Sequence, residues 1–194
     1  MFQRERISVL AAPKKSRCWW FVQLVENLPE DWRDQLHELM LPGCFIVHDR
    51  DTRFDDDGNE VLKKPHIHCM VEFGSPIVAK SALDAIPADF NVAFVKPVPN
   101  KVGAYRYLLH YDQPDKAQYE QDCITHMAGF KVNISDVYNI DFADVYELIN
   151  EMKITNFAML MSFLVEFKPE YVSYVSSHVN LVKTYITELN RCCF

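Results

Sequence analysis

At 194 residues the chain is long enough for one domain with a sizeable core, or for a domain with a small appendage, and its 49% hydrophobic content excludes a disordered polymer. A formal net charge of −7 argues against strong non-specific attachment to nucleic acid, and no apolar run of about 18 residues offers a membrane span. Six cysteines without a C-x-x-C pair argue against cysteine-held zinc and make a reducing cytoplasm the simplest compartment; Met1 to Arg6 also lacks the apolar stretch of a secretory leader.

Charge is distributed unevenly. Residues 1–135 carry 16 Lys+Arg against 19 Asp+Glu, and residues 136–194 carry 4 against 8. Basic residues form small groups at Lys14, Lys15 and Arg17, at Lys63 and Lys64, and at Lys96, Lys101 and Arg106. Such local patches matter more to phosphate binding than the overall sum.

Residues 1–17 are polar and read as a loose arm. Residues 18–25 are aromatic and β-branched, a first strand. Pro29 opens a helix through Met40, with Trp32, Leu36, Leu39 and Met40 at helical spacing and Pro42-Gly43 as its stop. Residues 44–48 are a second strand, 49–65 a long acidic loop, and the stretch from Lys63 to Phe73 a third strand opened by Pro65. Ser75-Pro76 breaks the chain, residues 78–86 suit a helix, and residues 91–98 a fourth strand. Asn100 can cap a further helix reaching Tyr111. The order βαββαβ plus a helix predicts an α+β fold, a ferredoxin-like antiparallel sheet with helices on one face and the other face open.

Beyond Gly129 the pattern changes. Residues 142–152, 156–167 and 170–189 all repeat apolar residues at helical spacing, the last through Tyr171, Val175, Val182, Tyr185, Ile186 and Leu189. The expected division is therefore an α+β domain over 1–135 and a small all-α domain over 136–194. The second is too short to bury much alone. Its apolar faces are expected to pack on another subunit, or else as a layer on the first domain.

The chemistry concentrates in the third strand. Alternation puts His66, His68, Met70 and Glu72 on one face and the apolar Ile67, Cys69, Val71 and Phe73 on the other. The two imidazoles stand roughly 6.5–7 Å apart, two residues' rise, and two ordinary half-exposed histidines would look the same. Pairing of the second and third strands as a hairpin adds partners, because the end of one faces the start of the next. His48 then meets His66, with Asp49 and Asp51 just beyond, and a His48/Asp51/His66/His68 cluster forms. Imidazole mixed with carboxylate suits Mn²⁺ first, with Mg²⁺, Co²⁺ or Zn²⁺ as alternatives. An EF-hand reading of the acidic loop fails: with Gly58 sixth, Arg53 stands first and Lys64 twelfth, where acids are required. On the following helix Tyr107 and Tyr111 lie four apart and share a face. A phenol is a poor nucleophile at neutral pH, but becomes useful beside a cation that polarises a phosphate.

Three stretches carry a family resemblance. His66-Ile67-His68 is the histidine–hydrophobic–histidine motif of the HUH endonucleases. Val47-His48-Asp49-Arg50-Asp51, Lys64-Pro65-His66-Ile67-His68 and Tyr105-Arg106-Tyr107-Leu108-Leu109-His110 resemble, in order, three motifs of RepB-type rolling-circle plasmid replication initiators, and Leu28-Pro29-Glu30-Asp31-Trp32 resembles them too. The likeness covers roughly residues 18–125, with a weaker match in the tail. It implies that His48, Asp51, His66 and His68 hold the metal and that Tyr107 is the nucleophile. That tyrosine would nick one strand of the double-strand origin, form a 5′-phosphotyrosine link, free a 3′-OH primer and later rejoin strands. The resemblance further implies recognition of double-stranded origin repeats and a single-stranded nick site, assembly through the tail as a homo-oligomer, often a ring, and dependence on a host helicase and polymerase. Leu109 departs from the family's usual threonine, and Tyr105 and Tyr111 are rival nucleophiles.

Two other readings fit the residues. One is an HUH transposase or relaxase, although relaxases are usually larger and such transposases usually lack so long a helical tail. The other is a non-catalytic DNA-binding regulator whose basic groups contact phosphates. A viral initiator with a helicase is not indicated, since no G-x-x-x-x-G-K-[ST] occurs.

Overall fold

The computed structural model describes residues 14–192, so most of the N-terminal arm expected over 1–17 lies outside the described residues. Strand β1 is Lys15–Leu24, followed by a 3-10 turn and helix α1 (Trp32–Glu38). Next come β2 (Gly43–His48), β3 (Thr52–Phe54), β4 (Glu60–Leu62), β5 (His66–Val78) and α2 (Ala79–Asp84). Then follow β6 (Lys96–Pro97), α3 (Lys101–Leu108) and β7 (Thr125–Met127). The five-stranded sheet has the order β6-β1-β5-β2-β7 with every pairing antiparallel. Leaving out β7, this is the strand order of the expected ferredoxin-like sheet, so the α+β reading stands.

Alternation along the central strands builds the core. Trp19, Phe21, Phe45, Ile67, Cys69 and Val71 point to one face, where Trp32 and Leu36 of α1 and Ala82 and Ile86 near α2 meet them. Each fully buried large apolar side chain contributes on the order of 1.5–3 kcal/mol. Gly43 starts β2 where no side chain fits. A Cβ there would collide with the Met70 carbonyl oxygen and lie 2.7 Å from Met127 Cε.

Several boundaries differ from the sequence reading. The acidic stretch is not a plain loop: β3 and β4 pair as a separate hairpin, Thr52 opposite Leu62. Asp55 closes its tip by accepting from the backbone N–H groups of Asp57 and Asn59. β5 runs through Ser75-Pro76 to Val78, because Ser16 and Lys15 continue the ladder opposite Ile77 and Val78. The fourth strand contracts to Lys96–Pro97, an edge position where proline's missing N–H costs little.

The chain divides into two compact units: residues up to Lys101 with Tyr107–Phe130, and Val102–Arg106 with residues from Lys131 on. Helix α3 contributes to both. The second unit contains α4 (Ile134–Val137), α5 (Phe142–Glu151), α6 (Phe157–Phe167), α7 (Pro169–Ser177) and α8 (Val179–Cys192). Asp141 and Asp144 form a reciprocal capping box at the start of α5, and Asn156 caps α6 through the Met159 N–H. The helix expected over 170–189 is two helices, broken at His178 (φ −121°, ψ 31°). Val145, Ile149, Ile154, Leu160, Leu164, Val175, Val182 and Ile186 form this unit's own core. It therefore buries more than its length led one to expect.

Candidate active site

The site forms at the ends of β2 and β5. The antiparallel register sets His48 directly opposite His66 and Ile46 opposite His68, so all three imidazoles share the sheet face away from the α1/α2 core. Ring centroids lie 5.5 Å apart for His48–His66, 4.6 Å for His48–His68 and 5.2 Å for His66–His68. Asp51, three residues after β2, turns its buried carboxylate into this group. Its Oδ2 is 3.8 Å from His48 Nδ1, 3.7 Å from His66 Nε2 and 3.8 Å from Lys63 Nζ. The sequence-selected His48, Asp51, His66 and His68 thus come together in one place.

Hydrogen bonds to carbonyls fix two tautomers, since a carbonyl can only accept. His48 Nε2–H donates to the Leu108 carbonyl (2.8 Å), and His66 Nδ1–H donates to the Lys64 carbonyl (3.0 Å). In the neutral rings the other nitrogens, His48 Nδ1 and His66 Nε2, are the lone-pair atoms, and both face the Asp51 carboxylate. Buried His48 Nδ1 and His68 Nδ1 have no hydrogen-bond partner. Lone pairs converging on a carboxylate repel unless a positive charge lies among them; the half-exposed Lys63 Nζ, 3.8 Å from Oδ2, supplies one, and a bound cation would supply another. Proton uptake is opposed by the surroundings. Burial is the first cause that lowers His48 to about 4, and burial followed by the neighbouring imidazoles lowers His68 to about 2. Neutral imidazole is the ligand form. His48, His66 and His68 each offer one ligand atom, all within 4.8 Å of one another, and so do His48, Asp51 and His110. The cluster could hold a divalent metal.

Tyr107 lies in the last turn of α3. Its ring stands 5.7 Å from His68, 5.9 Å from His110 and 5.3 Å from Trp20, each edge-on. Lys116 Nζ is 5.4 Å from the ring centre. Of the rival phenols, Tyr105 is fully buried, whereas Tyr111 is 41% exposed. Helix α3 ends at Leu108 rather than Tyr111 because His110 adopts φ 56°. Tyr111 therefore does not continue the helical face of Tyr107. Leu109 is buried, so its bulk lies in packing.

His110, Tyr119 and Lys116 also reach the site, although the sequence reading gives them no role. His110 donates through Nδ1 to the Ala117 carbonyl (2.8 Å), and its ring lies 4.4 Å from that of His48 at a 56° tilt. Its place three residues after Tyr107 was a usable signal. Tyr119 stacks on His48 at 4.5 Å with 18° between the planes. It accepts from the Arg50 N–H (2.9 Å) and reaches Asp51 Oδ1 at 3.5 Å. It and Lys116 come from an irregular segment whose return to the sheet left no periodicity to read.

Residues 11–133 match the family model of the plasmid replication protein origin-binding domain. A replication protein of Staphylococcus aureus is 29% identical over 164 residues, covering 79% of this chain and 78% of that protein. The replication protein RepB of Lactiplantibacillus plantarum is 30% identical over 117 residues, covering 60% of this chain and 51% of that protein. By these matches, across the strands and loops that assemble the cluster, the chain belongs to the plasmid replication protein origin-binding domain family, as a replication initiator of the RepB type.

Proposed function

We propose that this protein starts rolling-circle replication by nicking one strand of its plasmid origin through Tyr107, and ends the round by a second strand transfer. The carrying observation is the convergence of His48 Nδ1, His66 Nε2 and the Asp51 carboxylate next to His68, whose ring stands 5.7 Å from that of Tyr107. His48, Asp51, His66 and His68 hold the divalent metal in this reading, Mn²⁺ being the first choice for a mixed imidazole and carboxylate set. When bound, the metal supplies Lewis-acid polarisation of the scissile phosphate. His110 and Tyr119 orient the ligands, as outer partners of metal sites do.

The Tyr107 oxygen attacks phosphorus, the P–O3′ bond breaks, and the phenol's proton is matched by the one the 3′ oxygen gains. The products are a 5′-phosphotyrosine and a free 3′-OH. Lys116, beside the ring, offsets phosphate charge. Because the link conserves the phosphodiester bond energy, the reverse attack by a 3′-OH reseals a strand, a nicking–closing cycle. The freed 3′-OH is a primer for a host polymerase, and a host helicase opens the duplex. The same domain recognises origin repeats. The helical unit from about residue 136 is assigned to homo-oligomerisation, a ring among the options, with Val165 and Phe167 exposed on α6 in support. Cytoplasmic residence follows from a plasmid DNA substrate.

The test is to incubate the protein with Mn²⁺ and single-stranded origin DNA, then map the adduct by mass spectrometry. A covalent nucleotide on Tyr107, abolished by chelator and by Tyr107→Phe, is expected. An adduct that survives Tyr107→Phe but vanishes in Tyr111→Phe would move the nucleophile.

A further inference from the structure

The sheet face that carries the imidazoles continues past them to the β6 edge. In register Val22 lies opposite His68, Trp20 opposite Met70, and Lys96 opposite Trp20. Trp20 and Val22 therefore stand on the site face, while Trp19 and Phe21 enter the α1/α2 core. Between them and residue 94 lies a cavity of about 120 Å³, lined by Trp20, Val22, His68, Phe94, Lys96 and Tyr107. Two of its walls belong to the chemistry already described: the ring of Tyr107 and the imidazole of His68.

The opposite wall is unusual in its exposure. Phe94 is 60% exposed and Val22 47%, so apolar surface faces water beside an otherwise polar site. Lys96 Nζ stands 5.4 Å from the Phe94 ring centre. Aromatic faces around a slot, with a flexible ammonium at its rim, match a planar heteroaromatic ring attached to a phosphate. An aliphatic ligand would gain only non-directional burial from these walls and nothing from Lys96, and a free anion would be poorly served by apolar ones.

From this arrangement we infer that the slot receives one unpaired nucleobase of the strand being cut, stacked against Phe94 and Trp20, with Lys96 on a neighbouring phosphate. The inference rests on the proposed function for the identity of the strand. The slot admits a single base and not a base pair, so it selects single-stranded DNA at that nucleotide. Because Tyr107 is itself a wall, the base belongs to the nucleotide adjoining the phosphate that Tyr107 attacks. Stacking of this kind tolerates any base, since every base has a π-face. The pocket thus reports strand opening rather than sequence, and holds the phosphate in register with the phenol.

The experiment uses the full chain and short single-stranded oligonucleotides tiling the origin, each carrying one 2-aminopurine, in EDTA so that no cutting occurs. Binding should quench the fluorophore strongly at one position. Phe94→Ala should reduce that quench, leaving what Trp20 contributes, and weaken binding roughly 5- to 150-fold, the range for loss of a base–aromatic stack, while Phe94→Tyr restores both. With an abasic site at the same position the wild type should bind as weakly as Phe94→Ala, and the variant should lose nothing further. Uniform quenching along the strand, or an equal loss from Phe94→Ala on intact and abasic strands, overturns the pocket. These readings need no cleavage, so a failure of nicking leaves them interpretable. Conversely, nicking at Tyr107 with Phe94-insensitive binding removes the pocket alone.

Discussion

Replacing Asp51 by asparagine tests the lone-pair argument from two sides. The Oδ2 atom faces His48 Nδ1 at 3.8 Å and His66 Nε2 at 3.7 Å, the nitrogens that carry the lone pair in the neutral rings because the other nitrogen of each donates to a carbonyl. An amide N–H at that position would turn positive hydrogen toward those nitrogens and come within donating distance on a small shift of the side chain, while the amide oxygen keeps the place near Tyr119. In EDTA the variant should therefore be at least as stable as the wild type. Relief of an unsatisfied buried acceptor is worth about 1–3 kcal/mol, reduced by the loss of the half-exposed Lys63 pair, which is worth about 0–1 kcal/mol. With Mn²⁺ the order should invert. A unit charge pair at about 4 Å is worth about 4 kcal/mol at an effective dielectric of about 20, and much of it is recovered by water, leaving a loss of about 10- to 100-fold in affinity. Calorimetric titration with Mn²⁺ and thermal melts with and without EDTA read both halves. A variant that binds Mn²⁺ like the wild type, or that melts well below it in EDTA, refutes the reasoning.

Tyr111→Phe should leave the covalent adduct intact, because Tyr111 lies beyond the end of α3 and 41% exposed; gel analysis of labelled origin DNA reads this directly. In EDTA, His48 and His68 should not titrate by NMR between about pH 7.5 and about pH 5, since burial holds them near 4 and 2. The unfolded chain takes up those protons near 6.5, so both rings add stability above about 6.5 that is lost as pH falls toward the folded values, visible in urea midpoints. Gly43→Ala should cost about 1–3 kcal/mol in urea denaturation, since its Cβ would meet the Met70 carbonyl on a central strand that cannot yield.

The readable parts of the sequence were those with a period. Alternation through His66-Ile67-His68-Cys69 placed the imidazoles on one face, and the hairpin rule brought His48 opposite His66, as the ladder has it. The helices of the second unit were readable from their apolar stripes, apart from the break at His178. What could not be read came from segments without period. The β3–β4 hairpin is held by Asp55 and by a Thr52–Glu60 side-chain bond, a local arrangement that acidic composition hides. Tyr119 and Lys116 reach the site from a stretch ordered by individual bonds, such as the Tyr119 N–H to the Leu109 carbonyl. The end of α3 depended on one residue, His110, taking a left-handed backbone.

That helix end also explains how the imidazole cluster and the phenol keep a fixed relation. The last carbonyls of a helix have no intrahelical partner, and Leu108 is the last residue of α3. His48 satisfies its carbonyl with the Nε2 proton, which leaves Nδ1 as the nitrogen turned to Asp51. One hydrogen bond therefore caps the helix one residue after Tyr107, selects the His48 tautomer and aims the lone pair. Tyr119 stacks on the same imidazole and bonds the backbone of Arg50, and His110 packs beside it, so the ring cannot rotate away. A conservative His48→Gln change could keep an N–H for the Leu108 carbonyl but would present no second nitrogen lone pair. It should preserve the fold and the position of Tyr107 while lowering Mn²⁺ affinity. An intact fold with unchanged Mn²⁺ affinity in that variant would mean that His48 serves the helix and not the cation.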